Sequence, residues 1–214
     1  MGEKFTPKNE LMSEVWDKHY QRGKSKLSYP DENLVRLLAR IQTTKPLALD
    51  FGSGSGRHVP LLEELGFQVE IADASLVSVA NLKNTFPEAK IYHTPNPPLP
   101  FQRECYGLIV SWGVFHYNKR DVANQMVSEL KESLVPQGYL LGSVRANTDT
   151  HLALQDGKMQ LEDLQGGYAE TYSEEELRGL LSGFADVQLG YSERTPLGKL
   201  NERICHWFFL ARKG

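Results

Sequence analysis

The chain predicts an α/β fold, with a mainly parallel sheet covered by helices on both faces. Short apolar runs alternate with amphipathic segments of helical length through most of the 214 residues. One run, Pro46-Leu47-Ala48-Leu49, leads through Asp50-Phe51 into a glycine-rich turn and then into a helix. Strand, glycine turn and helix in that order let an open sheet admit a nucleotide-like ligand at its carboxyl edge.

Residues 9–22 predict a first helix, with Leu11, Val15 and Tyr20 near one face and Trp16 beside them. A polar connection, Gly23 to Ser28, separates it from a second helix, where Leu34, Leu37, Leu38 and Ile41 keep helical spacing. The first strand covers 47–51. In the helix after the turn, Val59, Leu62 and Leu65 recur at spacing three, Pro60 fits the first turn and Gly66 the stop. Further strands fall near 67–72, 89–93, 106–111 and 138–144, with helices between them, one near 119–134. Residues 145–172 carry no clear strand. Ser173-Glu174-Glu175-Glu176 forms a capping box before Leu177, Leu180 and Leu181. Two strands near 184–189 and 204–210 then predict an antiparallel hairpin.

Bulk properties narrow the function. The apolar content of 40% and charged content of 24% suit one globular domain. A net charge of −3 offers no basic footprint, so nucleic acid is not an expected partner. Cys105 and Cys205 fit a reducing compartment better than a disulfide framework. No run reaches the ~20 apolar residues of a membrane span, and the start does not resemble a signal peptide. A cytoplasmic protein with no membrane partner is expected.

The spacing of the turn selects the ligand. A dinucleotide fingerprint needs Gly-x-Gly-x-x-Gly. Counted from Gly52, the third glycine arrives one position early at Gly56, and Arg57 takes the fingerprint's place. An acid, Asp73, closes the next strand, and Asp50 precedes the first glycine. A carboxylate there suits a cationic ligand better than a phosphate.

Asp50-x-Gly52-x-Gly54-x-Gly56, Asp73, Leu99-Pro100-Phe101, the strand Tyr106 to Ser111 and Val135-Pro136-Gln137-Gly138 appear in one ordered series. In this the chain resembles the class I S-adenosylmethionine-dependent methyltransferases, most closely over residues 45–145. The resemblance implies a Rossmann-like seven-stranded sheet of order 3-2-1-4-5-7-6, the last strand antiparallel, and S-adenosyl-L-methionine as cofactor. It divides a single methyltransferase domain, 1–214, into a helical cap (1–45), a cofactor-binding core (46–144), an acceptor-side insertion (145–172) and a final helix and hairpin (173–214).

The resemblance also implies roles. Gly52, Ser53, Gly54 and Gly56 would carry the methionine arm and ribose of the donor, and Asp50 would position its ammonium directly or through the loop. Asp73, with Ala74 beside it, would accept from the ribose hydroxyls. Asn96 is the one obvious side chain for the adenine edge. Ser111 and Trp112 would touch the donor, while Trp16, His19, Tyr20 and Tyr29 would close the pocket from the N-terminal side. His116 is the candidate proton acceptor, and Arg145, His151, Tyr168 and Tyr172 are candidates for the acceptor pocket. Packing alternatives stand beside these: a tight turn for the glycines, a cap for Asn96, and a satisfied histidine at a helix start for His116. The six histidines show no metal-ligand spacing with the cysteines. The expected function is methyl transfer to a small molecule. A nicotinamide-dependent oxidoreductase and a non-catalytic binding module are the rivals, and the sequence specifies neither the acceptor nor the oligomeric state.

Overall fold

A computed structural model describes residues 8–22, 27–160, 164 and 167–214. Most of the polar connection at 23–28, and part of the segment 145–172, lie outside the described residues. Seven strands, β1 (Leu47–Phe51), β2 (Gln68–Asp73), β3 (Ile91–His93), β4 (Tyr106–Trp112), β5 (Leu134–Arg145), β6 (Asp186–Arg194) and β7 (Ile204–Arg212), form one sheet of order β3-β2-β1-β4-β5-β7-β6. The first five pair in parallel, and β7 lies antiparallel between β5 and β6. The strand order is the one that the family resemblance implies, and the closing hairpin is the one that the sequence predicts.

Among the described residues six α-helices surround the sheet: α1 (Lys8–Tyr20), α2 (Glu32–Leu38), α3 (Val59–Glu64), α4 (Leu76–Thr85), α5 (Arg120–Ser133) and α6 (Glu174–Leu180). Leu34 and Leu38 of α2, Val59 and Leu62 of α3 and Leu82 of α4 pack on one face against Ala48, Ile71, Leu108 and Val110. The other face buries Met126, Val127 and Leu130 of α5 and Leu177 and Leu180 of α6 against Leu49, Phe51 and Ile109. Because β1 and β4 are buried on both sides, their carboxyl ends are fixed in position. That rigidity is what a site at the strand ends requires.

One strand departs from its predicted span. β5 begins at Leu134, directly where α5 ends, instead of at Gly138. Its pairing with β4 jumps from Tyr106↔Leu134 to Leu108↔Tyr139. Val135 to Gly138 therefore form a bulge, with Gln137 at φ 64°. Pro136 and Gly138 read as a strand boundary in sequence because both interrupt a ladder, yet a bulge accommodates them within the strand.

A third, small cluster joins Leu152, Met159, Leu164 and Ala169 to Val15, Trp16 and Tyr117. The segment 145–172 thereby packs against α1. The described side chains of α1 begin at Ser13, so Leu11 falls outside them.

The capping box at α6 forms as the sequence predicts: Ser173 Oγ accepts from Glu176 N at 3.2 Å, and Glu176 Oε2 accepts from Ser173 N at 2.7 Å. Replacing Ser173 with Ala removes one of these bonds and should lower unfolding stability by about 1 kcal/mol in urea titration. Ser173→Asp should retain most of it.

Candidate active site

The glycine turn leaves β1 beside the end of β2, and both are stitched together. Gly52 N and Ser53 N donate to Ala72 O at 2.8 and 3.1 Å. Asp73 closes the join, its Oδ2 accepting from Gly54 N and its Oδ1 from Ser75 N, each at 2.8 Å. Ser78 Oγ then donates to Gly54 O at 2.7 Å, tying α4 to the same turn. Burial raises the Asp73 carboxyl to about 6, against two backbone N–H bonds that pull the other way. Each carboxylate oxygen keeps a lone pair for a further donor.

Gly52 and Gly54 have φ of 73° and 60°, a region that side chains rarely adopt. A Cβ on Gly54 would also collide with the Tyr20 hydroxyl, and one on Gly52 with Val114. Gly56 differs in what it serves. A Cβ there would lie 2.5 Å from the Phe86 ring and 2.8 Å from Leu82, so this glycine allows packing of the turn against α4.

Two adjoining cavities open at the carboxyl ends of β1, β2 and β4. The smaller, about 130 Å³, reaches Asp73, Ala74, Thr94 and Pro95. The larger, about 500 Å³, runs along Ser53 and Gly54 to His58, His116, Arg145 and His206. Trp16, Tyr20, Gly52 and Trp112 border both. Helix α1 roofs them, held by the edge-on contact of Trp16 with Tyr117 (centroids 4.7 Å); within the helix Trp16 stacks on Tyr20 (6.0 Å). The Asp17 carboxylate anchors the helix to Ser75 Oγ and, at 3.2 Å, to Val77 N.

The expected residues therefore divide. Gly52, Ser53, Gly54, Asp73, Ala74, Trp112, Tyr20, Trp16, His19 and His116 line one or both cavities. Asp50 does not. It is buried beneath the turn, where Oδ2 accepts from Ser53 Oγ at 2.6 Å and Oδ1 lies 3.9 Å from His58 Nδ1. Its negative charge thus acts through the loop. Asn96 is not among the residues lining the two cavities, whereas its neighbours Thr94 and Pro95 line the smaller one. Ser111 is fully buried in β4, away from both cavities, and its Oγ makes no hydrogen bond among the described residues. Tyr29 is 83% exposed and lines neither cavity.

The acceptor-side candidates divide in the same way. Only Arg145 faces the cavity. His151 pairs with Glu202 at 2.7 Å, Tyr168 hydrogen-bonds Glu170, and Tyr172 is buried beneath the Arg120 guanidinium, 3.5 Å from its ring centroid. The antiparallel end of the sheet contributes further lining residues to the larger cavity. Arg145 stands opposite His206 on β7, which stands opposite Ser192 on β6. His206 was legible only as a polar residue within an apolar strand; its place beside Arg145 depends on pairing across 61 positions that no local pattern records.

The 3₁₀ turn Phe115–Tyr117 sets His116 against the floor of the larger cavity. Its ring is fully buried, and neither Nδ1 nor Nε2 has a hydrogen-bond partner among the described residues. Burial, then the nearby Arg145 charge, holds this imidazole well below its ordinary pKa, so it is a neutral base. His58 Nε2 is another buried nitrogen on the same cavity without a partner among the described residues. These groups fit a cationic nucleoside with an amino-acid arm: a carboxylate for hydroxyls, an open backbone turn over a buried Asp50, and unpaired polar atoms beyond it. Among the described residues no group of three or more His, Cys, Asp or Glu is placed to hold a metal ion, and no helix is long and apolar enough to cross a membrane.

Comparison with known proteins agrees with this geometry. A family model described as a methyltransferase domain matches residues 18–189. No curated protein matches the chain. Among solved structures, a SAM-dependent methyltransferase from Methanosarcina mazei is similar at 17% identity and a TM-score of 0.67, covering 83% of this chain and 96% of that one. A SAM-dependent methyltransferase from Leishmania major gives 16% identity and 0.70, covering 98% and 87%. The 1,6-didemethyltoxoflavin-N1-methyltransferase of Burkholderia thailandensis, solved with 1,6-didemethyltoxoflavin and S-adenosylhomocysteine, gives 19% and 0.66, covering 100% and 93%. The chain belongs to the methyltransferase domain family, and its fold is that of the class I S-adenosylmethionine-dependent enzymes.

Proposed function

We propose that the protein transfers the methyl group of S-adenosyl-L-methionine to a small-molecule acceptor by in-line displacement. The observation that carries the reading is the Asp73 carboxylate. It is fixed by Gly54 and Ser75, keeps free lone pairs, and lines the smaller of two adjoining cavities, the larger of which is a polar chamber. Bound donor supplies an electrophilic methyl on a sulfonium; on transfer the carbon–sulfur bond breaks and its electron pair stays on sulfur. The chain itself must place and deprotonate the acceptor. Positioning alone is worth about 7–11 kcal/mol of such a barrier, and the roof of α1 over fixed strand ends provides it. His116, neutral and unpartnered, is the proton acceptor: an acceptor O–H or N–H gives its proton to a ring nitrogen as its lone pair takes the methyl. The enclosed chamber favours a small acceptor, as in the Burkholderia thailandensis enzyme that is solved with 1,6-didemethyltoxoflavin.

Calorimetric titration tests the donor site. S-adenosylmethionine and S-adenosylhomocysteine should both bind, whereas reduced nicotinamide dinucleotide should not; the reverse would replace this reading with that of an oxidoreductase. Asp73→Ala should weaken S-adenosylhomocysteine by about 5- to 150-fold, the equivalent of 1–3 kcal/mol.

The same titration across pH tests the Asp73 charge. Protonation removes an acceptor, so affinity should fall as pH drops through about 6. For folding the sign is opposite. A carboxyl raised in the folded state favours the fold below its unfolded value, and that contribution is lost as pH climbs through about 6.

His116 should remain neutral far below the usual imidazole range. Carbon-13 NMR of histidine-labelled protein should show rings with no inflection near pH 6.5, His206 among them, and one of these signals should vanish in His116→Gln. An ordinary titration at this residue would contradict the buried base.

A further inference from the structure

The wall of the larger cavity includes Arg145 of β5, His206 of β7 and Ser192 of β6, whereas Asp73 lines the smaller cavity. We propose that it docks an anionic acceptor, a small molecule whose carboxylate or similar oxyanion is held by Arg145; this rests on the methyltransferase reading and specifies the acceptor's class.

Arg145 ends β5 with its side chain 12% exposed and Nη1 at 2.5 Å from Asp149 Oδ2. Asp149 is fully buried and also accepts from Leu152 N at 2.9 Å and Cys205 N at 2.8 Å. Held by three donors, this carboxylate fixes the guanidinium in one orientation. The Nε–H of Arg145 is left buried and without a partner among the described residues. A buried donor in that state bears the full loss of its water, which a ligand oxygen restores.

The surroundings favour a charged oxygen over a neutral one. His206 and Ser192 continue the row from Arg145 across the sheet, and His116 faces the same chamber. Burial and the Arg145 charge push His206 down to about 4 and keep His116 low, so neither ring adds positive charge near neutrality. Both rings can nevertheless donate an N–H to an oxyanion. At the rim Arg57 and Arg194 face the chamber with Asp31 and Glu193, and Glu193 already lies 3.8 Å from Arg203. A hydrogen bond to an ionised acceptor is roughly twice as strong as a neutral one. A cationic acceptor would meet Arg145 head-on and lie beside a positively charged donor. An anion has neither cost.

The test uses whole protein saturated with S-adenosylhomocysteine and three probes of one shape: salicylate (anionic), salicylamide (neutral) and 2-(aminomethyl)phenol (cationic). Calorimetry should show salicylate binding at least tenfold more tightly than the other two. In Arg145→Gln that preference should disappear. If that variant fails to fold, Arg145→Lys, which keeps a charge for Asp149 but not the planar N–H, should weaken salicylate at least fivefold. Equal or tighter binding of a neutral or cationic probe overturns the proposal, as does unchanged salicylate affinity in the variant that folds. No binding of any probe, with S-adenosylhomocysteine still bound, overturns it and leaves the methyltransferase reading intact. Failure to bind S-adenosylhomocysteine removes both.

Discussion

Asp73 holds a buried charge that two loops share, and the geometry of the donor crevice follows from it. Gly54 N belongs to the turn after β1 and Ser75 N to the start of α4, yet each donates to one oxygen of the same carboxylate. A charge this deeply buried is tolerated only when hydrogen-bonded. The requirement works in reverse as well: the turn and the helix start must stay where they are to keep that charge satisfied. Ser78 Oγ on Gly54 O and Asp17 on Ser75 extend the restraint to α4 and to α1. One carboxylate therefore sets the distance between the turn, the second strand and the roof, and remains available to ligand hydroxyls from its open side.

The topology explains why the two halves of the chamber differ. On the parallel side, β1, β2 and β4 all end in the same direction, and the loops that leave them present backbone N–H groups and a carboxylate. On the other side, β7 runs against β5, so its residues approach the same rim from the opposite direction. That reversal puts side chains, rather than loop backbone, on the wall: Arg145, His206 and Ser192 in one cross-strand row. Cross-strand neighbours of a pair point to the same face. The backbone half suits a common donor; the side-chain half is where one member of a fold differs chemically from another.

Much of this was legible in sequence because it rests on local rules. The strand–turn–helix around Gly52 to Gly56, the acid at the end of β2 and the capping box of α6 each depend on a few neighbouring residues. Gly56 matched the family series, although its lack of a side chain serves Phe86 and Leu82, a contact with α4 that spacing does not record. Tyr29 is an aromatic in the right stretch, yet nothing local reveals that it faces outward. Asn96 stood one or two residues past the lining positions Thr94 and Pro95, within the ordinary error of placing a loop. The acceptor wall was the least legible. It depends on which residue of β7 stands opposite Arg145, and a shift of one position would have turned His206 to the other face. From the segment 145–172, Leu152, Met159 and Ala169 pack on α1 through Val15 and Trp16, contacts between distant parts of the chain that no local pattern records.

That packing bears on how ligands enter. Ligand sites usually enclose about 300–1,000 Å³, and the crevice at Asp73 alone, about 130 Å³, is too small for a nucleoside with its amino-acid arm. A donor must extend from it across Gly52 into the larger chamber. The Tyr20 hydroxyl stands on that route, directly over Gly54, and burial together with the Asp73 charge disfavours its ionisation. Trp16 and Asp17, a turn or less before Tyr20 at the end of α1, fasten that same end of the helix to the satellite core and to α4, so the roof over the glycine turn is held from both sides.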